Sequence, residues 1–194
     1  HELKTPLTSI KGYVSTLRED LKTGRLDDAP GFLEVVGRNV DRLILLVNDL
    51  LDLSVLDSGV EMRKQLLSTV EVTEQVLRVT EARASKRHTI HLETRTDRVL
   101  GESRRIEQVL VNLLDNAIKY SPDGSEIRII WEPGAGANIG ETVLRVCDSG
   151  PGISEEHLPR LFERFYRVDA GRAREVGGTG LGLAIVKHIV MGHG

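Results

Sequence analysis

The amino-acid sequence predicts a helical hairpin followed by an α/β domain, and two observations carry this prediction. The N-terminal part contains two apolar seams of coiled-coil period with a short break between them, which is typical of two antiparallel helices. Beyond the second seam the periodicity changes, and helical segments alternate with segments of strand-like pattern. The 194 residues are enough for one medium domain and a smaller unit.

The first part of the chain is predicted to be all helix. Residues 3–21 carry apolar side chains at alternating intervals of four and three, and TGRLDDAPG at 23–31 breaks the pattern with two glycines and a proline. A second seam runs over 33–50 and is widened by Ile44, Leu46 and Leu51. This helix carries more apolar surface than one partner helix can cover. We therefore expect a dimeric four-helix bundle; the alternative is a hairpin that packs on its own downstream domain.

The second part of the chain is predicted to contain helices at 70–85 and 104–120, and strands at 88–94, 126–131 and 142–147. A short extended piece at 60–66 separates it from the hairpin. We expect residues 1–62 to form the hairpin and residues 63–194 to form the α/β domain, with both ends of the chain truncated and late strands missing at the C-terminus.

The composition excludes several classes of protein. Acidic residues outnumber basic residues 29 to 26, and this net charge of −3 does not indicate binding to nucleic acid or to an anionic membrane. A single cysteine, Cys147, rules out an internal disulfide and fits a reducing compartment. The longest apolar runs are too short to cross a bilayer, so any membrane segment is expected outside these residues.

The segment NLLDNAIKYS, at 112–121, places polar side chains on one helix face. Asn112, Asn116, Lys119 and Tyr120 are spaced i, i+4, i+7 and i+8. Two carboxamide oxygens can bind Mg²⁺, and a lysine beside them can neutralise phosphate oxygens. The alternative is a solvated helix face.

The segment CDSGPGIS, at 147–154, places a carboxylate at the end of a predicted strand. Gly150 and Gly152 follow Asp148 and let the backbone approach a flat ligand. A carboxylate there can accept a hydrogen bond from the exocyclic amine of adenine, where guanine presents an acceptor instead. The alternative is a turn in which Asp148 only caps the backbone.

The segment GGTGLGLAIVKHIV, at 177–190, opens a helix with glycines, and a helix start of this kind can bind an anion. It is not a Walker P-loop, because the required spacing is absent and Lys187 lies inside the helix. In LFERFYRVD before it, Arg164 and Arg167 are available to phosphate. The polar stretch 168–178 is predicted to be a mobile lid; the alternative is a plain flexible loop.

Five segments, in this order, resemble the signature boxes of the sensor histidine kinases of two-component signalling. HELKTPL resembles the phosphoacceptor box, NLLDNAIKYS the asparagine box and DSGPGI the adenine-binding glycine box. FERFYR resembles the phenylalanine box and GGTGLGLAIVKHIV the second glycine box. The resemblance spans nearly the whole chain. It implies a dimerisation and phosphotransfer hairpin followed by a Bergerat-type ATP-binding sandwich, as in gyrase and MutL ATPases, in the cytoplasmic part of a membrane-anchored receptor.

The resemblance also implies a role for each residue of the nucleotide motifs. Asn116 would bind a Mg²⁺ ion that bridges the ATP phosphates, with Asn112 supporting it. Lys119 would contact phosphate, Tyr120 would line the nucleotide pocket, and Asp148 would accept the adenine amine. The remaining assignments are the adenine-side glycines Gly150 and Gly152, the phosphate-side glycines Gly178, Gly180 and Gly182, and Arg167 at the γ-phosphate.

The first residue, His1, is the implied acceptor of the γ-phosphoryl group. It precedes the seam residue Leu3 by two positions, roughly 200° around a helix, and so points away from the bundle core. The reacting form is neutral imidazole, and Glu2 can hold the other ring N–H. The family pattern assigns Thr5 to aligning the water that dephosphorylates an aspartate of a partner response regulator.

Two other functions compete with this interpretation. A gyrase- or MutL-type ATPase would carry a catalytic glutamate one helical turn before the Mg²⁺-binding asparagine, where this chain has Asn112. A degenerate dimeric scaffold that binds nucleotide without transferring phosphate is the second alternative.

Overall fold

The computed structural model describes residues 2–59, 61–84, 88–136, 139–168 and 178–194, with 81–84 described by backbone alone. His1 and most of the predicted lid therefore lie outside the described residues.

The N-terminal part forms the predicted hairpin. Helix α1 spans Lys4–Thr23 and helix α2 spans Ala29–Asp57. Gly24 ends α1 in a left-handed conformation at φ 75°, and its N–H donates to the carbonyl of Asp20. Proline in the first turn suits the start of α2, because its missing N–H would have no helical partner there. The rings of Tyr13 and Phe32, 5.4 Å apart, join the two helices.

The second part forms an α/β domain whose elements follow the predicted order. They are β1 Gln65–Ser68, α3 Thr69–Ala84, β2 Thr89–Thr94, β3 Arg98–Gly101, α4 Ser103–Tyr120, β4 Glu126–Pro133, β5 Thr142–Cys147, a short 3₁₀ helix Leu158–Arg160 and α5 Gly182–His193.

The strands form two sheets. In the first, β4 lies between β2 and β5; it runs parallel to β2 and antiparallel to β5, with Arg128 opposite Cys147. In the second, β1 pairs antiparallel with β3. Strand β3 was not predicted, because four residues are too few to show an alternating pattern.

The main core fills the space between the helices and the three-stranded sheet. Residues of α3, α4 and β4 are buried together there, so the domain has two layers. The buried residues of this core are Val72, Val76, Val99, Leu110, Leu114, Ala117, Ile127, Ile129 and Trp131.

A second core joins the hairpin to the α/β domain. Its buried residues come from α2, α4, the residue before α5 and α5 itself: Leu46, Leu53, Val109, Leu181, Ile185, Val186 and Ile189. The sequence assigned Leu46 to the seam of the dimer, and that assignment is wrong, because Leu46 is fully buried against the chain's own domain.

Part of the hairpin seam stays exposed. Leu33 and Leu51 are 60% and 62% exposed, and Val40, Ile44 and Val47 are exposed as well. Helix α2 therefore has two apolar stripes, one packed on its own domain and one uncovered within this single chain. Among the described residues, no helix is long and apolar enough to cross a membrane.

A buried hydrogen bond between the two layers gives a test of the core. The Trp131 indole N–H donates to the Thr73 hydroxyl at 2.9 Å, and both side chains are buried. Thr73→Val leaves that N–H unpaired, so we expect a loss of about 1–3 kcal/mol in the free energy of unfolding. Urea unfolding followed by the fluorescence of Trp131, the single tryptophan, measures it.

The matched control is Thr80→Val on the same helix. The Thr80 hydroxyl is also buried, but it donates only to the carbonyl of Val76, which lies in the helix itself. We expect Thr80→Val to cost less than Thr73→Val; equal losses would contradict the role given to the indole bond.

Candidate active site

Helix α4 presents the predicted polar face beside the second core. Its opposite face is fixed by the buried residues Leu110, Leu114 and Ala117, so Asn112, Asn116 and Lys119 stand at the partly buried edge of the domain. The side-chain nitrogen of Asn112 is buried and has no hydrogen-bond partner among the described residues. A buried amide donor without a partner is costly, which indicates that a ligand acceptor belongs beside it.

Positive charge gathers around Lys119. Burial lowers the pKa of Lys119, and the charges of Arg167 and Arg42 lower it further, while Asp115 opposes them. A partly buried ammonium beside two guanidinium groups favours an anion in this position.

The end of the predicted lid is built from glycines that lie against these side chains. A β-carbon at Gly178 would stand 2.5 Å from Lys119 Nζ, and one at Gly182 would stand 3.2 Å from Asn112 Oδ1. A β-carbon at Gly180 would stand 3.0 Å from the backbone of Phe165, and Gly180 has φ +74°. The three alternate glycines therefore let the chain pass close to the polar face of α4.

The segment before the lid is tied to the same glycines. Phe165 takes up a left-handed backbone at φ 65°, and its N–H donates to the carbonyl of Gly180 at 2.9 Å. A bulky residue in this conformation stores strain that the surrounding contacts must hold. The turn sets Arg167 beside Gly180, since a β-carbon there would lie 3.3 Å from Arg167 Cγ.

The turn after β5 closes the other side of the site. Asp148 Oδ1 accepts the N–H of Gly150 at 2.7 Å, and the described residues offer no partner to the other carboxylate oxygen. A β-carbon at Gly150 would lie 3.2 Å from the backbone carbonyl oxygen of Tyr120, so the turn rests on the end of α4. Asp148 caps the turn and still exposes an acceptor.

These residues fit a nucleotide with a divalent cation. The described residues include no group of three or more His, Cys, Asp or Glu side chains that could hold a metal. Asn112 and Asn116 supply carboxamide oxygens on this face, which are groups that Mg²⁺ accepts beside ligand oxygens. The unpaired Asn112 amide and the Lys119 ammonium are the donor groups that would meet phosphate oxygens.

Two family models match the chain, one over the hairpin and one over the described site. The phospho-acceptor domain His Kinase A matches residues 1–59, and the histidine kinase-, DNA gyrase B- and HSP90-like ATPase model matches residues 101–194. The structure of the histidine kinase AdeS from Acinetobacter baumannii is similar, with a TM-score of 0.76 and 31% identity over 99% of this chain and 86% of that one. The chain belongs to the sensor histidine kinases.

Curated histidine kinases resemble the whole chain. The sensor histidine kinase WalK of Bacillus subtilis (strain 168) is 38% identical over 200 residues, with 100% of this chain covered and 32% of WalK. The signal transduction histidine-protein kinase/phosphatase MprB of Mycobacterium ulcerans (strain Agy99) is 37% identical over 200 residues, with 100% and 37% covered. This chain thus spans about a third of the length of these relatives.

The structure brings most of the predicted histidine kinase residues together. Asn112, the lid-end glycines, Lys119 and Arg167 meet at one edge, with Asn116 on the same face of α4. The adenine-side predictions, Asp148, Gly150 and Gly152, follow β5, and Tyr120 is 49% exposed at the end of α4. Gly152 has φ +74°, which a side-chain-bearing residue rarely adopts.

The phosphoacceptor motif is only partly described. His1 lies outside the described residues, and so do residues 169–177 of the predicted lid. Glu2 precedes α1 and lies 3.6 Å from Arg42, while Thr5 is exposed in the first turn of α1.

The sequence did not reveal the polar contacts between α2 and the kinase domain. Thr179, in the second glycine box, donates its hydroxyl to Asp49 Oδ2 at 2.6 Å, and also accepts the N–H of Leu181. One turn on, Asp52 accepts hydrogen bonds from Arg105 and Gln108. At the end of α2, Asp57 pairs with Arg164 at 2.7 Å and lies 3.2 Å from His188.

The local sequence carries no pattern that predicts these polar contacts of α2. Acidic residues on a helix usually form a solvated face, and the partners lie up to 130 positions away along the chain. Only the packing of α2 on the domain shows that these carboxylates share a stripe with Leu46 and Leu53.

The half-buried carboxylate of Asp49 makes domain docking sensitive to pH. Burial raises the pKa of Asp49, the charge of Asp52 adds to the rise, and the hydrogen bond from Thr179 opposes it. A raised carboxyl pKa means that the docked fold favours the protonated form, so this stability is present at acid pH and is lost as pH rises through the raised pKa.

Asp49→Asn removes that charge and keeps an oxygen for Thr179. We expect the melting temperature at pH 7 to rise by about 2–4 °C, the shift that about 1 kcal/mol gives in a chain of this size, with the difference shrinking as the pH falls. Asp41→Asn, at an exposed position of α2, is the control and should change nothing. A lower melting temperature for Asp49→Asn at pH 7 would refute this account.

Proposed function

We propose that this chain is the catalytic core of a sensor histidine kinase that autophosphorylates His1 from ATP and passes the phosphoryl group to an aspartate of a response regulator. One observation carries the proposal: three alternate lid-end glycines pass close to the polar face of α4, where Asn112 has an unpaired buried amide and Lys119 is crowded by positive charge. Family membership supplies the reaction class.

The site residues keep the roles that the motifs imply. Asn116 and Asn112 hold a Mg²⁺ ion, which neutralises phosphate charge when bound. Lys119 and Arg167 contact phosphate oxygens, and Gly178, Gly180 and Gly182 let the backbone close on them. On the adenine side Asp148 accepts the exocyclic amine, Gly150 and Gly152 shape the wall, and Tyr120 lines the pocket.

His1 is the phosphoryl acceptor. A ring nitrogen of neutral imidazole bonds to phosphorus while the bond to the bridging oxygen breaks and its electron pair leaves on ADP. The proton on the other ring nitrogen is held by Glu2, which stabilises the positive charge that develops on the ring. Thr5, exposed one turn further along α1, aligns water for dephosphorylation of the regulator. The name kinase/phosphatase of the relative MprB supports this second activity.

The exposed seam of the hairpin supports a homodimer. Residues 1–62 form the dimerisation and phosphotransfer unit, and residues 63–194 form the ATP-binding unit. Leu33, Val40, Ile44, Val47 and Leu51 remain uncovered in the single chain and supply a continuous apolar stripe for a four-helix bundle. We place this core on the cytoplasmic side of a membrane-anchored receptor, where ATP and the regulator are available, with no role for nucleic acid.

Two alternatives are disfavoured by particular residues. An ATPase of the gyrase or MutL type needs a general base near Asn116, and the position one turn earlier holds Asn112, whose carboxamide packs against Gly182. A nucleotide-binding scaffold needs no accessible phosphoacceptor motif, whereas Thr5 lies exposed on α1.

Labelling with γ-labelled ATP tests the reaction. The full-length protein should gain acid-labile, base-stable label, because a phosphoramidate hydrolyses in acid. His1→Gln should lose the label and keep ATP binding, since no other nucleophile is provided. His91→Gln, at an exposed position of β2, is the matched control and should label like wild type. Unlabelled wild type that still binds ATP supports the scaffold instead.

Nucleotide selectivity tests the adenine assignment. Asp148→Asn keeps an oxygen that can accept the Gly150 N–H, so the turn should persist. The added amide donor faces the adenine amine, and we expect the Kd for ATP to rise about 10- to 100-fold. Calorimetric titration with ATP and GTP measures the change, with Asp41→Asn on exposed α2 as control. Unchanged ATP affinity removes Asp148 from the adenine site.

A further inference from the structure

Arg42 is a hairpin residue that the packing of α2 carries to the nucleotide site. On α2, Arg42, Leu46, Asp49 and Leu53 are spaced i, i+4, i+7 and i+11, so they form one stripe. Leu46 and Leu53 are buried in the second core, and Asp49 bonds to Thr179 of the lid end. The first member of the stripe therefore faces the kinase domain as well.

The side chain of Arg42 is mostly buried, and its Nε lacks a partner in the described part of the chain. Its side chain is 17% exposed, and its Nε is buried without a hydrogen-bond partner among the described residues. The carboxylate that the described residues place beside it is Glu2, at 3.6 Å, which is longer than a hydrogen bond. A buried Nε–H without an acceptor on a mostly buried cation is costly, and the guanidinium has four more N–H donors to offer. The arrangement indicates that an anion with several oxygens belongs here.

Arg42 is linked to residues at both ends of the proposed reaction. Glu2, the neighbour of His1 in sequence, lies 3.6 Å from it. Lys119 feels its charge, which lowers the pKa of that ammonium after burial and the charge of Arg167. Cations from α2, from α4 and from the segment before the lid therefore act on one another.

We propose that Arg42 is a catalytic residue of the phosphoryl transfer and that its guanidinium contacts the γ-phosphoryl group as it passes from ATP to His1. The inference rests on the proposed function. Two parallel N–H groups match two oxygens of the planar phosphoryl group, and they bring a second domain's charge to it. As the bond to the ADP oxygen breaks and the bond to the His1 nitrogen forms, the equatorial oxygens keep their negative charge, which Arg42 stabilises.

Arg42 belongs to the hairpin, so its contact with the phosphoryl group depends on docking of the kinase domain. Lys119 and Arg167 belong to the kinase domain, so the cationic site is complete only while that domain is docked on α2. ATP binding needs the kinase domain alone, whereas transfer needs the docked arrangement. Arg42 should therefore affect the maximal rate far more than the affinity for ATP.

The test compares autophosphorylation of full-length variants at saturating ATP. Arg42→Gln should lower the maximal rate about 10²- to 10³-fold, as loss of one transition-state donor does, and leave the Kd for ATP within about 3-fold. Arg42→Lys keeps the charge without the planar fork and should recover part of the rate, staying about 10-fold below wild type. The control is Arg38→Gln, one turn earlier, where the side chain is 64% exposed and pairs with Glu34; it should match wild type.

A second comparison separates direct contact from an effect through Glu2. In a Glu2→Gln background, Arg42→Gln should still lower the rate at least 10-fold, because its contact is with the phosphoryl group. The proposal is overturned if Arg42→Gln causes no additional loss of rate in the Glu2→Gln background. It is also overturned if Arg42→Gln weakens only the affinity for ATP. If Arg42→Gln fails to fold, Arg42→Lys is the deciding variant. A wild-type rate for Arg42→Lys would overturn the proposed contact through two parallel N–H groups.

The two levels of failure are distinguishable. Wild-type protein that binds ATP without gaining acid-labile label refutes the proposed function, and the role of Arg42 with it. Labelled wild type with an undiminished rate for Arg42→Gln overturns the role of Arg42 alone.

Discussion

The packing of one stripe of α2 against α4 and α5 is the contact on which the arrangement of the site depends. Leu46 and Leu53 are almost fully buried in it, and each contributes about 1.5–3 kcal/mol by leaving water. The ion pair of Asp57 with Arg164 joins side chains that are 41% and 45% exposed, and such pairs contribute about 1 kcal/mol or less. The leucines therefore hold the two parts together, and the charges around them fix the register.

This register decides which groups of the hairpin meet the nucleotide site. Moving one turn along the stripe from Leu46 leads to Arg42 at one end, and moving the other way leads to Asp49 and the hydroxyl of Thr179. Because Thr179 lies between Gly178 and Gly180, the end of the lid is bonded to α2 and packed on α4 at once. A change in docking is thereby transmitted to the phosphate side of the site without any intermediate element.

The features that could be predicted from the sequence were those in which residue types repeat every few positions. The hairpin seams, α4 and its stripe of amides follow from the spacing of residues a few positions apart. The short strand β3 exists because β1 offers it a partner, and no pattern of four residues could reveal that. Arg38 and Arg42 stand one turn apart on the same side of α2, and nothing in the local sequence separates them. Arg42 is 17% exposed and Arg38 is 64% exposed, because only the later part of the helix packs against the α/β domain.

The acidic residue in the middle of the apolar stripe limits how firmly the domain docks. A leucine or an asparagine at position 49 would bind the domain without a charge to bury, whereas the raised pKa of Asp49 records the cost of burying one. Each 1.4 kcal/mol or so removed from docking shifts the ratio of docked to undocked molecules tenfold. In the proposed cycle His1 must meet the kinase domain and then a regulator, so a docked state held too tightly would block the second step. The half-buried charge of Asp49 therefore opposes the docking that the leucines favour, and the hydrogen bond from Thr179 offsets part of that opposition.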